Sequence, residues 1–190
     1  MHFNIPNEVV KVTQTLEKGG FEAFLVGGCV RDLLTERNPK DWDITTNAKP
    51  EQIQELFKKT VYENNFGTVA VVNEDLEQDD PVRIIEITPY RTETTYSNNR
   101  HPDSVSFSES LEDDLKRRDF TMNAIALEIK EDSIKDISGD NSKRHVIIKD
   151  IYGGIKDIQE NRIQAVGNAS ERFQEDALRI MRAVRFSSQI

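Results

Sequence analysis

The sequence predicts an α+β fold, with short strands and helices interleaved along most of the chain and helix alone at its end. Hydrophobic spacing switches repeatedly between helical and two-residue periods up to Ile87, and glycine pairs and prolines stand where it switches. From Phe173 to Phe186 only a helical period remains. The 190 residues allow one domain, or one domain and the start of another. With 36% hydrophobic and 31% charged residues, the composition is that of a soluble globular chain. It has no apolar run of about 18 residues to span a membrane. Met1 to Pro6 carry neither a basic nor an apolar leader region, so a cytoplasmic location is expected. The single cysteine, Cys29, excludes an internal disulfide, and His2, His101 and His145 lack zinc-site spacing. A net charge of −9 argues against broad nonspecific nucleic-acid affinity, which comes from phosphate neutralisation.

Val9, Val12 and Leu16 give a first helix, stopped by Gly19-Gly20. Phe21 to Val26 reads as a buried strand, Gly27-Gly28 as a turn, and Val30 to Leu34 as a helix. Asp41-Trp42-Asp43-Ile44 alternates with period two and reads as a strand. Pro50 suits the first turn of a helix whose apolar stripe is Ile53, Leu56 and Phe57. Two strands follow, Thr68 to Val72 and Val82 to Ile87, around an acidic loop from Asn73 to Pro81. Residues 89–110 are polar and aperiodic, as in a functional loop. Leu111 to Leu127 reads as a helix, and Ile134 to Ile151 as a hairpin apart from the main pattern, interrupted at Gly139-Asp140-Asn141. The last helix, Phe173 to Phe186, gathers Ala177, Ile180, Met181 and Val184 on a packing face. Asp176, Arg179, Arg182 and Arg185 fall on the opposite half, towards which Leu178 and Phe186 also project.

Asp41 and Asp43, two apart on a strand, point to one face and are suited to hold divalent metal for phosphate chemistry. Magnesium fits, because it takes few carboxylates and completes its octahedron with phosphate oxygens and water. With 16 aspartates in the chain, a solvated acidic strand end stays open as the alternative. Glu86, a charge within Ile84-Ile85-Glu86-Ile87, is a candidate third carboxylate or an ordinary outward-facing residue. Gly27-Gly28 lets backbone N–H groups approach a triphosphate, Arg31 is placed to neutralise it, and Asp32 to fix that arginine. Arg118, Asp119 and Asn123 share the predicted helix, the last two on one face suited to a ribose hydroxyl and a phosphate; a basic turn at Lys116-Arg117-Arg118 is the plainer reading. Asp176 and Arg179, at i and i+3, offer acceptors and donors for a base edge, or form a surface ion pair.

Together these segments resemble the class II tRNA nucleotidyltransferases, the CCA-adding enzymes, and the related bacterial poly(A) polymerases. Gly27-Gly28-x-x-Arg31-Asp32 with Asp41-x-Asp43 is similar to the first family motif, and Arg117-Arg118-Asp119-Phe120-Thr121-x-Asn123-Ala124 to the second. Asp150-Ile151-Tyr152-Gly153-Gly154-x-x-Asp157 resembles the third, and Glu175-Asp176-x-x-Arg179-x-x-Arg182-x-x-Arg185-Phe186 the fourth. The resemblance implies a polymerase-β-like head with a mixed sheet over residues 1–145, and the start of a truncated all-helical neck over 146–190. It implies magnesium at Asp41 and Asp43, nucleotide contacts from Gly28, Arg31, Arg118, Asp119, Asn123, Arg182 and Arg185, and base selection by Asp176 and Arg179. Residues 91–110, with Arg100, would form the loop that switches from CTP to ATP. The implied reaction adds C and A to a tRNA 3′ end from CTP and ATP, releasing pyrophosphate. Poly(A) synthesis, CC-only or A-only addition, and a noncatalytic nucleotide- or RNA-binding module are the alternatives. The family continues into a tRNA-gripping region, so this chain alone is expected to transfer weakly.

Overall fold

The computed structural model describes residues 1–62, 67–93, 105–130 and 143–188. The elements run β1 (His2–Asn4), α1 (Asn7–Lys18), β2 (Phe24–Val26), α2 (Gly28–Leu34), β3 (Trp42–Thr46), α3 (Pro50–Leu56), β4 (Thr60–Tyr62), β5 (Val69–Val72) and β6 (Ile84–Pro89). They continue as β7 (Arg91–Glu93), β8 (Val105–Phe107), α4 (Leu111–Lys116), a 3-10 turn (Thr121–Asn123), β9 (Ala126–Ile129) and β10 (Lys143–Lys149). Three helices close the chain, α5 (Gly154–Gln159), α6 (Ala169–Glu175) and α7 (Leu178–Ser187).

The main sheet has the order β1-β10-β9-β2-β3-β6-β5-β4, and β7 pairs with β8 in a sheet of their own. It is mixed, because β3 and β6 run parallel while their neighbours are antiparallel. Parallel partners need a long crossover, and the excursion through α3, β4 and β5 supplies it. β2 is buried along its length, and its alternation feeds two cores. Leu25 joins Val9, Leu16, Val30, Ile44 and Ile85 under α1 and α2. Phe24 and Val26 point the other way, with Tyr90, Leu115, Ala126 and Val166. A third cluster, Phe120, Met122 and Phe186, seats the end of α7.

The predicted α1, α2 and α3 form as read. Val9, Val12 and Leu16 are buried, and Gly20 turns the chain at φ +86°, a left-handed conformation that glycine adopts without strain.

Four expectations are corrected. The helix read over Leu111 to Leu127 ends at Lys116, and its second half is the 3-10 turn and strand β9. Backbone bonds from Thr121 N to Gln164 O (2.9 Å) and from Val166 N to Asp119 O (3.1 Å) hold this stretch against residues 164–166, which a helix would not allow. The hairpin read apart from the main pattern is not separate: β10 pairs antiparallel with β9 inside the main sheet. Ile134 and Gly139-Asp140-Asn141 lie outside the described residues. The expected division between residues 145 and 146 falls within β10, a strand of the main sheet that runs to Lys149. At 89–110, Arg91–Glu93 and Val105–Phe107 pair as strands, whereas Arg100 and the rest of 94–104 lie outside the described residues.

The last helix departs most. It breaks at Asp176, whose extended backbone (φ −138°, ψ 106°) separates α6 from α7. Its packing face is also the reverse of the one read. Ile180, Met181 and Val184 are 48%, 65% and 62% exposed, whereas Arg179 and Phe186 are 5% and 1% exposed. Phe186 meets Phe120 edge-on and Arg179 finds carboxylate and carbonyl partners, so the mixed half docks and the aliphatic stripe faces outwards.

Candidate active site

The site is built where β2 turns into α2 beside β3. Gly27 has φ +76°, and a Cβ there would stand 3.2 Å from Asp43 Oδ2 and 3.4 Å from Arg118 Nη1. Glycine is therefore required twice over, by the backbone angle and by the close approach of two charged groups. Asp43 lies half-buried on β3, and Asp41 is exposed, one residue before the strand begins. Burial raises the Asp43 carboxyl above the ordinary range; Arg118 pulls it down, and the like charge of Asp41 raises it further. The two aspartates are thus a pair whose charge calls for a cation.

Glu86 sits opposite Asp43 in the parallel β3–β6 register, on an exposed position, so of its two readings the outward-facing one matches its exposure. Among the described residues no three Asp, Glu, His or Cys side chains gather into a preformed metal cage. Two carboxylates with room for phosphate oxygens and water match the needs of magnesium better than those of an ion that demands a complete protein shell. Beneath them, Cys29 donates its thiol to Val26 O at 3.1 Å and more weakly to Asp43 O at 3.8 Å. Burial and the Asp43 charge push this thiol up to about 12, so it is an inert packing group.

A hydrogen-bonded chain links α2, the 3-10 turn and α7. Arg31 donates to Asp32 Oδ1 through Nε (3.0 Å) and Nη2 (2.8 Å), and through Nη1 to Asn123 Oδ1 (3.2 Å). Asn123 Nδ2 donates to Asp119 Oδ1 at 3.1 Å, and Arg182 Nη2 lies 2.9 Å from Asp119 Oδ2. Asp119 and Asn123 therefore meet as their spacing suggested, although a 3-10 turn and not an α-helix joins them. Behind this chain Asp114, 0% exposed, pairs with Arg117 at 2.7 Å and Arg118 at 2.9 Å. Burial pushes its carboxyl up, but Arg118 and Arg117 outweigh that and hold it below the usual range. Asp114 was missed in the sequence. Its spacing of three and four residues from Arg117 and Arg118 was the available signal.

Arg31, Asp32, Asp41 and Asp43 open onto a cleft of about 540 Å³ that Gly28, Arg185, Cys29, Arg37, Asn38 and Lys40 also line, whereas Arg118, Asp119, Asn123 and Arg182 are not among its lining residues. Sequence reasoning missed Arg37 and Lys40, which sit in an unremarkable polar link. Asp176 and Arg179 are not brought together as a base-reading pair. The Asp176 carboxylate accepts from Leu178 N at 2.9 Å, and the Arg179 side chain donates to Glu175 Oε2 at 2.8 Å and Arg172 O at 3.2 Å.

Set beside known proteins, residues 23–164 match the poly A polymerase head domain. The chain belongs to that family. The first three motifs lie within this poly A polymerase head match, and the fourth lies beyond it. A CCA-adding enzyme of Lactobacillus helveticus is 44% identical over 98% of this chain and 42% of its own length. Among solved structures, the Bacillus stearothermophilus CCA-adding enzyme in complex with CTP superposes with a TM-score of 0.73 at 40% identity, covering 94% of this chain and 38% of that one. A tRNA nucleotidyltransferase complexed with a primer tRNA and an incoming ATP analog gives 0.64 at 28% identity, covering 93% of this chain and 44% of that one. The mixed sheet with flanking helices is thus the head fold of the CCA-adding enzymes and poly(A) polymerases. The chain spans about two fifths of the length of these relatives. Among the described residues, no helix is long and apolar enough to cross a membrane.

Proposed function

We propose that this chain is the nucleotidyl-transfer head of a CCA-adding enzyme, with the start of its helical neck after Lys149, acting in the cytoplasm on CTP, ATP and a tRNA 3′ end. The observation that carries the reading is the cleft itself. Asp41 and Asp43 share it with Gly28, Arg31 and Arg185, and the family match and the CTP-bound relative fall on the same fold.

In this reading the tRNA 3′-hydroxyl attacks the α-phosphate of CTP or ATP and gives up its proton to water, a new P–O bond forms as the bond to the β-phosphate breaks, and pyrophosphate leaves. Magnesium held by Asp41 and Asp43 supplies charge stabilisation for the phosphates when bound. Arg31, oriented by Asp32 and Asn123, meets the triphosphate as a fixed donor fork, so little reorganisation is needed as charge moves to the leaving group. The backbone of Gly27 and Gly28 gives the phosphates close approach. Asn123 and Asp119 present polar edges towards the sugar, and Arg118, tethered by Asp114, balances the Asp43 charge. Arg182 and Arg185 close the site from α7. Glu86 is an auxiliary carboxylate next to Asp43 in register. Base choice by Asp176 and Arg179 requires both side chains to leave the partners they hold.

Calorimetry with CTP, in the presence and absence of magnesium, tests this directly. Magnesium-dependent binding that Asp41→Ala and Asp43→Ala weaken at least about a hundredfold is expected. Binding indifferent to magnesium and to both substitutions would falsify the metal assignment. Labelled CTP and ATP offered separately with tRNA lacking its CCA end distinguish the products: C and A incorporation supports the reading, and long A tracts on arbitrary RNA replace it with poly(A) synthesis.

A further inference from the structure

Phe186 stands at a point the cleft chemistry does not account for. It is 1% exposed, and its ring is surrounded by cations from two elements. The guanidinium carbon of Arg31, from α2, lies 5.1 Å from the ring centroid, and those of Arg185 and Arg182, from α7, lie 5.0 Å and 5.9 Å away. All three fall within the roughly 6 Å over which an aromatic ring attracts a guanidinium group. Phe120 meets the same ring edge-on, with centroids 5.6 Å apart and planes at 87°, which fixes the plane of Phe186.

Packing alone would not produce this arrangement. An aliphatic side chain of similar volume would fill the space beside Phe120 and Met122, yet it would not attract the guanidinium of Arg185, which has neither the Asp32 partner of Arg31 nor the Asp119 partner of Arg182. An electron-rich ring does, and it can hold guanidinium groups without neutralising them as a carboxylate would. Two of the three, Arg31 and Arg185, line the cleft. Arg31 is also held by Asp32, and Arg182 reaches Asp119, so Arg185 depends most on the ring among the contacts described.

We propose that Phe186 is a positioning residue that gathers Arg31 and Arg185 over the triphosphate of the incoming nucleotide and ties α7 to the cleft electrostatically. This rests on the reading of the cleft as a nucleotide site. Phe186 touches no reacting atom; it acts through the two arginines, keeping their charge available and their side chains ordered before the nucleotide arrives. Its contribution is therefore to CTP affinity through the electron density of the ring, beyond its contribution to the core.

The test varies that density at constant shape. Phenylalanine carrying one, two and three ring fluorines is placed at position 186 of this chain, and CTP affinity is measured by calorimetry with magnesium. Stepwise weakening reaching about tenfold for the trifluoro ring is expected, with melting temperatures falling by no more than about 4 °C. Phe186→Leu should weaken binding by a similar factor, and Phe186→Tyr should restore most of it. Affinity that stays flat across the fluorine series would overturn the proposal, because a purely packed ring ignores its own quadrupole. Proton NMR of the nucleotide-free protein supplies a separate readout. Side-chain protons of Arg31 and Arg185 should be shifted by the ring current and return to ordinary positions in Phe186→Leu; ordinary positions in the unsubstituted chain would also overturn it. If those shifts are present but the unsubstituted chain binds no CTP, the nucleotide reading fails, and the proposed role falls with it while the ring–arginine packing stands.

Discussion

At the scale of single residues, half-buried Asp43 and fully buried Asp114 respond to pH in opposite senses. Asp43 has its carboxyl raised by burial, against the pull of Arg118 and with the push of Asp41, so ionising it costs the folded state. Its contribution to stability is complete below the unfolded carboxyl value and is lost as pH rises through the higher folded value. Asp43→Asn is therefore expected to melt above the unsubstituted chain at neutral pH without divalent ions and to converge with it in acid; melting curves across that range check the sign. Asp114 behaves inversely. Arg118 and Arg117 overcome its burial and depress it, so its contribution is present above the unfolded value and lost as pH falls through the folded one. Asp114→Ala leaves two guanidinium groups without their buried partner and should cost about 3–5 kcal/mol in denaturant titration. Asp41, Asp43 and Arg31 were legible in the sequence because close spacing of like chemistry is itself a signal. Asp114 left only its three- and four-residue spacing from Arg117 and Arg118, because its complete burial is decided by how the fold packs around α4, just as the path of the link between α2 and β3 decides that Arg37 and Lys40 line the cleft.

Among the secondary-structure elements, the α5 junction shows how closely the second and third motifs are fitted together. Asp150 accepts from Gly154 N at 2.8 Å and Ile155 N at 3.0 Å, starting the helix, and Asp157 accepts from the Thr121 hydroxyl at 2.6 Å. A Cβ on Gly154 would lie 2.7 Å from the Thr121 carbonyl carbon and 2.9 Å from Ile125 Cγ1, whereas one on Gly153 meets open space. Gly154→Ala should accordingly destabilise by about 1–3 kcal/mol through overpacking and displace the 3-10 turn that carries Asn123. Gly153→Ala, strained only by its φ of +73°, should cost about 1 kcal/mol and leave Asn123 in place. Thermal melts with CTP titrations separate the two outcomes. Strands β2, β3, β5 and β6 and the first three helices could be read from periodicity because each is bounded by glycine, proline or a charged link. Residues 111–127 could not, since Leu111, Leu115, Met122 and Ile125 share one helical face, and only the pairing with 164–166 and β10 decides for a helix–turn–strand.

For the molecule as a whole, the decisive departure is the face on which α7 docks. Its aliphatic residues satisfied the pattern for burial, but Phe186 beside Phe120 and Arg31, together with Arg182 paired to Asp119 just before the 3-10 turn, selects the other half. Substituting both Met181→Glu and Val184→Glu should move the melting temperature of this chain by no more than about 4 °C, as for exposed positions, whereas Phe186→Ala should cost about 3–5 kcal/mol. The reverse ranking would mean that the aliphatic stripe is the buried one. The strand order has a consequence for synthesis. β2 pairs on one side with β3, only some 20 residues later, but on the other with β9, and β1 must wait for β10. A chain emerging from the ribosome can therefore assemble the aspartate-bearing strands early, yet the opposite edge of β2 stays open until Ala126–Ile129 have been made, and the first residues find their place only when Lys143–Lys149 arrive. During that interval an apolar strand edge is exposed to other chains, which makes this side of the sheet the stretch most in need of chaperone protection.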